Sequence, residues 1–521
     1  VGATLEQLRW INPDAPVTMT LEKEGEIFFS GECLITRSEG VGKRRTVVLT
    51  PNFNNFRRYR EREFRSQRHV LTPTPNVNFQ HPLTGRRIDL QALDISSAGF
   101  ATEEFFYNST LIPGLVIPEI SIDIGNRFMM KCRAQVLYRN VENAENGENH
   151  VRCGIVFLDM DIRDQSELSA LLHQSTNSRM RVCNRVDMDE LWRFFFETGF
   201  IYPSKYLSIE TYKSEFKETY EKLYLKSPAI ARHFIFQDRG VIFGHMSMIR
   251  NHANTWLIHH HAADRSGYGM AGVAVLDQVG RYINEFHLHH STHMDFVMCY
   301  YRKENRFPSR VFGGVAKDLN NPKGSSIDAF AYLHLADVER DKSESYQVFP
   351  ANREDLVELA RFYANASGGL TLDALNLTSD AAAENELDRE YENYGFVRSR
   401  SVFSLKQDGV LKAIIMVSLT DLGLNLSNLT NCVHVFVVNS ETLLPKTLFS
   451  GISDICEHYE RLEIPIMVYP SSYLDEKSVA YDKKYQLWVL NMNNSDGYFK
   501  SLQNTFRRVD LGSESNRHRK D

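Results

Sequence analysis

No apolar run in the chain approaches the ~18–20 residues needed to cross a bilayer as a helix, and no signal-peptide pattern opens it. The seven cysteines are scattered singly with no Cys-x-x-Cys pair, which excludes a zinc ribbon or a disulfide framework. Reduced thiols in a cytoplasm are the expectation. Charge of one sign is not in excess either: 60 basic residues face 66 acidic ones, for a net charge of −6. That balance argues against a general binder of nucleic-acid polymers. The chain opens on Val1 and not on methionine, so a preceding segment is expected.

What is present suffices for several cores. The 521 residues are 42% hydrophobic and 11% aromatic, and length alone suggests about three domains. Positive charge is concentrated locally, where Arg57, Arg58, Arg60, Arg62, Arg65 and Arg68 fall within twelve residues. A guanidinium is a planar fork that chelates phosphate oxygens and stacks on purine faces. Further on stands Asp94-Ile95-Ser96-Ser97-Ala98-Gly99, an Asp-x-Ser-x-x-Gly at a strand end. Its short polar side chains can hold a nucleobase edge, and glycine lets the backbone turn without a Cβ clash. Taken alone, the arginines fit equally an RNA-binding or merely solvated basic run.

Around these residues, Asn76 to Phe79 reads as a first strand, Leu90 to Leu93 leads into the motif, and Glu119 to Ile124 alternates. Asn140 to Asn149 reads as a hairpin loop, and Cys153 to Leu158 as a closing strand. Residues 57–165 resemble the PilZ domain, a bacterial receptor for cyclic di-GMP. The resemblance implies a small all-β barrel that binds the dinucleotide through Arg58, Arg62, Arg65, Arg68, Asp94, Ser96 and Gly99. The family's Arg-x-x-x-Arg spacing is met by Arg58 and Arg62, whereas Arg65 and Arg68 lie nearer the motif but only three apart. Residues 1–56 are expected as an extension packed on the barrel, which spans 57–175.

From about residue 186 the periodicity becomes helical. Asp189 to Phe196 and Tyr212 to Tyr224 predict amphipathic helices, and 166–186 predict only a connection. Ile230 to Phe236 and Val241 to Ile249 predict a hairpin about Asp238-Arg239-Gly240, and Thr255 to Ala263 a third strand. That strand runs into Asp264-Arg265-Ser266-Gly267-Tyr268-Gly269-Met270-Ala271-Gly272, followed by a helix to Phe286. A glycine loop at a helix N-terminus offers free N–H groups and the positive end of the macrodipole to a phosphate. A strand at Asp295 to Tyr301, a helix at Pro308 to Lys317 and a strand at Ala329 to Leu335 complete the stretch.

This order of elements resembles the GNAT acyltransferase fold. The resemblance implies acyl-CoA as cosubstrate, gripped by Arg265, Gly267, Gly269, Ala271 and Gly272, and an unidentified amine acceptor. Asp264 stands where the family places Gln or Arg. After residue 345 the pattern repeats, with Asn439-Ser440-Glu441-Thr442 at the place of the glycine loop. The fold expected is therefore multidomain: an N-terminal all-β PilZ-like barrel followed by two α/β (α+β) GNAT-like domains, 186–340 and 345–510. The second is expected to have lost the CoA site, and 511–521 form a polar tail.

Acyl transfer to an amine needs a base, an acid for the departing thiolate, and donors for the oxyanion. His259 and His261 point one way on a regular strand, with His260 opposite, and Tyr300 and Tyr301 end the next strand. His259, His261 and Tyr301 are the candidate catalytic residues; packing within the sheet is the competing reading. His289 and His293, one helical turn apart, lack a third ligand, so no metal is expected. Two functions remain open: a cyclic di-GMP-responsive acyltransferase, or a non-catalytic effector whose GNAT-like tandem is an interaction platform.

Overall fold

The computed structural model describes residues 15–23, 25–39, 46–51, 65–125, 128–143, 149–182, 186–201, 210–264, 268–336, 346–378, 382–421, 428–456 and 463–504. It divides into two compact units, Val1–Thr176 with Leu288–Ser291, and Asn177–His287 with Thr292–Asp521.

In the first unit, β1 (Val17–Lys23), β2 (Glu26–Glu39) and β3 (Thr46–Pro51) form a small antiparallel sheet. Six further strands close into a barrel: β4 (Asn76–Gln80), β5 (Arg87–Ser96), β6 (Gly99–Phe105), β7 (Val116–Asp123), β8 (Met129–Asn143) and β9 (Asn149–Met160). Their order is β4-β5-β6-β9-β8-β7, and β7 pairs back to β4, so no edge is left unpaired. Alternation buries Val77 and Phe79, Ile120 and Ile122, and Ile155 and Phe157. The Phe100 and Phe157 rings lie 5.8 Å apart. Each such side chain contributes about 1.5–3 kcal/mol on burial, so this interior dominates barrel stability.

The β5–β6 turn is a point of close approach in the wall. A Cβ on Gly99 would lie 2.1 Å from the Ile155 carbonyl oxygen on β9, so only glycine lets the two strands approach. After the barrel comes helix α1 (Ile162–Thr176), where the sequence predicts only a connection. Its buried face includes Gln165, Ser166 and Ser169, small or polar residues that mask the helical period.

The second unit is built on a twelve-stranded sheet. Its first half contains β10 (Met180–Val182), β11 (Ala231–Asp238), β12 (Val241–His252), β13 (Thr255–Ala263), β14 (Phe296–Arg302) and β15 (Ser325–Ala336). The second contains β16 (Gln347–Pro350), β17 (Arg398–Gln407), β18 (Val410–Thr420), β19 (Val433–Val437), β20 (Glu463–Tyr469) and β21 (Lys483–Asn491). Hairpin turns at Arg239-Gly240 and Asp408-Gly409 have positive φ at both residues, the geometry that matches strand twist. Among the described strands only β13 with β14 and β19 with β20 run parallel. Each of these pairs is joined by a crossover helix, α4 (Ala271–Phe286) and α7 (Pro445–Ile455), as parallel neighbours require.

The halves exchange their sixth strands. β21 pairs with β14, β15 pairs with β20, and β15 and β21 pair with each other at the centre. The stretches 186–340 and 345–510 thus share one continuous sheet. Helices α2 (Met188–Glu197), α3 (Lys213–Glu221), α5 (Arg353–Ala366) and α6 (Ala382–Asn393) supply Trp192, Tyr220, Leu359 and Tyr391 to one core layer. Helix α7 supplies Leu448 and Ile452 to another. Strand β18 divides its residues between them, with Ile414 and Met416 in the first and Ile415 and Val417 in the second. Burial on both faces explains its unbroken apolar run.

Candidate functional site

Two places gather the residues singled out in the sequence. On the barrel, His69 and Ile95 exchange backbone hydrogen bonds of 2.8 and 2.9 Å, which ties the segment before β4 to the end of β5. That tie sets Arg68 beside Asp94, and the two side chains form an ion pair. Asp94 is not left with a free oxygen: Arg152 of β9 donates to its Oδ2 at 3.0 Å while Arg68 takes Oδ1. Partly exposed pairs of this kind are worth about 0–1 kcal/mol each, so their consequence is orientation more than stability. Asp94 side-chain exposure is 13%, against 45% for Arg68 and 37% for Arg152, so the guanidiniums form the outer surface.

Ser96 is buried, and its hydroxyl donates to the Gly99 carbonyl at 3.1 Å, closing the β5–β6 turn. Arg65 is exposed. Arg58 and Arg62 lie outside the described residues. Sequence reasoning missed Arg152, a lone arginine in an apolar strand; the only signal was its odd charge within His150-Val151-Arg152-Cys153.

The second place is the C-terminal half of β13. Strand β13 pairs with β14 only from Thr255 to Ile258, and from His259 to Ala263 it has no strand partner on that side among the described residues. Its register with β12 shifts between His245 and Ser247, and His260 has φ 51°, so a bulge interrupts the strand. The bulge breaks the expected alternation of the three histidines. His259 is buried, and neither ring nitrogen has a hydrogen-bond partner among the described residues. Burial, then neighbouring His245, pushes its pKa down to about 3. His260 faces Tyr224, with Nδ1 3.3 Å from the hydroxyl, amid the Phe195, Phe200 and Tyr220 rings. His261 is half-buried, with Nε2 3.3 Å from the Gly272 carbonyl, and burial lowers its pKa to about 4.

The sequence places its candidate anion site on the loop after β13. Arg265 and Gly267 lie outside the described residues. A Cβ on Gly269 would meet nothing within 4 Å, so open space adjoins this turn. Among the described residues helix α4 starts at Ala271 without a side-chain cap; the Ala271 and Ala274 amides are taken by the Tyr268 and Met270 carbonyls at 2.9 Å, which leaves the Gly272 and Val273 amides as the first-turn donors an anion could take. Gly272 packs closely instead, where a Cβ would lie 3.1 Å from that of Ala263. Tyr268 anchors the loop by donating to Asp238 at 2.7 Å, with the Arg179 guanidinium 5.3 Å from its ring centre. In the second half, the corresponding loop is tied down by polar contacts: Lys412 donates to Thr442 at 2.8 Å, and Thr442 donates to Asn439 at 2.8 Å.

Tyr301 is buried, and burial, then Cys299, pushes its phenol up to about 12. Its neighbour Tyr300 points elsewhere, placing its hydroxyl 2.8 Å from His434 Nε2. Burial pushes His434 down to about 3. A buried charge cluster was also missed in the sequence. Glu384 of α6 accepts from the Ala253 amide at 2.9 Å and pairs with Arg398, while Arg400 lies 3.7 Å away. Burial pushes Glu384 up, but His252, Arg398 and Arg400 more than offset it and hold the carboxyl at about 2. Its one signal was Arg398 and Arg400, spaced to share a strand face.

His289 and His293 are not on a common helical turn, because α4 ends at Phe286 and a 3-10 turn occupies His290–Thr292. Among the described residues no group of three or more His, Cys, Asp or Glu is placed to hold a metal ion. No described helix is long and apolar enough to cross a membrane.

No family model and no curated protein matches the chain. Solved structures similar to part of it include the PilZ domain of YcgR from Escherichia coli with c-di-GMP, at 16% identity and TM-score 0.20, covering 22% of this chain and 95% of that one. The K. pneumonia MrkH–c-di-GMP complex is similar at 13% identity and TM-score 0.20, covering 32% and 73%. A GCN5-related N-acetyltransferase from Sphaerobacter thermophilus is similar at 11% identity and TM-score 0.31, covering 60% and 96%.

Proposed function

We propose that this chain is a cyclic di-GMP-responsive bacterial protein whose barrel regulates an acyl-CoA-dependent N-acyltransferase. The observation that carries the enzymatic half is the parting of β13 from β14 beyond Ile258, with the uncapped start of α4 at its open end. A parted parallel pair exposes backbone N–H and C=O groups that an extended ligand can take, and α4 offers donors to a diphosphate. The side chains needed for the chemistry lie on the same two strands. The amine nitrogen attacks the thioester carbonyl, forming the C–N bond, and its proton passes to a neutral imidazole, that of the half-buried His261 or of the buried His259. The C–S bond breaks, and the thiolate takes the proton that Tyr301 retains at neutral pH.

The barrel half rests on Asp94, held between Arg68 and Arg152 next to the Ser96–Gly99 turn. Guanidiniums arrayed on a barrel surface suit the two phosphates of a cyclic dinucleotide.

Calorimetric titration with acetyl-CoA and longer acyl-CoAs tests the enzymatic half. The wild type is expected to bind and Gly269→Glu to lose binding, because a carboxylate then fills the open space at the helix start. Absence of binding to the wild type would sink it. A second reading, a non-catalytic effector with an interaction platform, is favoured by the low values of His259 and His261, which make both imidazoles weak bases. Acyl-CoA binding without transfer to any amine would establish that reading.

A further inference from the structure

Asp94 has two carboxylate oxygens, and the structure gives each to a different guanidinium. Arg68 arrives from the segment tied to β5, and Arg152 from β9 on the barrel wall. We propose that Arg152 is a direct phosphate-binding residue of the dinucleotide site, paired with Arg68 as the second arm of a clamp whose hinge is Asp94. The inference rests on the cyclic di-GMP reading of the barrel and adds to it a residue outside both sequence motifs.

The argument is one of geometry and charge. A guanidinium has five N–H donors, and its bond to Asp94 Oδ2 leaves others free. Arg152 is also more than a third exposed, so those donors reach solvent. Two guanidiniums against one carboxylate leave the trio with an excess positive charge, which an anionic ligand can neutralise. Because the carboxylate fixes both forks before a ligand arrives, little side-chain entropy is lost on binding. Residue placement supports the same function: Arg152 lies opposite Glu103 on β6, yet it forms its ion pair with Asp94. His150, two residues along on the same face, lies with its ring centre 4.8 Å from that of the exposed Phe105, the planes tilted by 45°, and extends the outer wall with an aromatic surface.

The test is calorimetry of the full chain with cyclic di-GMP on the wild type, Arg152→Ala, Arg152→Lys, Asp94→Ala and the Asp94→Ala/Arg152→Ala double variant, with a thermal melt of each. Arg152→Ala is expected to weaken binding at least tenfold, and Arg152→Lys to recover part of that loss, since it keeps the charge but not the fork. In the Asp94→Ala background, removal of Arg152 is expected to cost a further fivefold or more, because a residue that touches phosphate matters without its hinge. If the wild type does not bind, the reading of the barrel itself fails. If the wild type binds and Arg152→Ala binds within twofold of it, the barrel reading stands and the Arg152 assignment is overturned. No additional loss in the double variant likewise overturns it, reducing Arg152 to a support for Asp94. Should Arg152→Ala melt early, Arg152→Lys and the double variant carry the decision.

Discussion

Tyr300 on β14 and His434 on β19 meet hydroxyl to Nε2 at 2.8 Å although three strands, β21, β15 and β20, stand between their own. The sheet must curve enough for side chains on one face to bridge it. Replacing Tyr300 by Phe keeps the ring and leaves a buried imidazole nitrogen with only the Cys432 thiol, 3.9 Å away. The expected cost is about 1–3 kcal/mol, read as a lowered urea midpoint at unchanged slope. An unchanged midpoint would show that the bridge contributes nothing to stability.

Acid should destabilise the second unit through its buried imidazoles. Burial pushes His245 down to about 4, and His259 and His434 to about 3. Their unfolded values lie near 6.5, so the unfolded chain binds protons that the folded one refuses. Stability is therefore full above that value and falls as pH drops through it toward the folded values. At pH 5.5 each group withdraws on the order of 1 kcal/mol, a large part of an ordinary domain's stability when three act together. Urea denaturation between pH 7.5 and 5 checks this. A flat profile across that window would contradict the burial of these rings.

Gly99→Ala should damage the barrel before it touches any ligand. The added methyl would sit 2.1 Å from the Ile155 carbonyl and 2.9 Å from the Val156 Cα, both backbone atoms that cannot rotate away. A loss of about 3 kcal/mol or more is expected, seen as an earlier thermal transition of the barrel. A variant that melts with the wild type would mean that the strands can part at this turn.

Removing β21 by ending the chain at Asp482 should unfold both halves of the large sheet together, since β21 fills the gap between β14 and β15. Deletion leaves two central strands with open edges and strips Leu487, Val489 and Trp488 from the interior. Circular dichroism and amide exchange report the outcome. Protected amides persisting on β11 to β13 would show that the first half stands alone.

Much of this architecture was readable from residue order. Asp238-Arg239-Gly240 announced its hairpin, β13 was delimited by its apolar run and the following polar loop, and the barrel strands by alternation. The strand exchange was not readable, because a period of two says which face a residue takes and nothing about which neighbour it pairs with. The bulge at His260 escaped for a related reason: it arises where a non-glycine residue takes a positive φ, a choice made by tertiary packing. Arg152 and Glu384 are single residues whose partners are 58 and 14 positions away, contacts that no local spacing announces.

The exchanged strands also set a clock on assembly. When β14 leaves the ribosome, its neighbour-to-be β21 lies roughly 180 residues downstream, an interval of about 10–40 s at ordinary rates of synthesis. Throughout that interval β14 must wait with one apolar, hydrogen-bonding edge unmet. A holding chaperone, or a slow codon placed early and not late in the message, would therefore alter the yield of this protein more than its final stability.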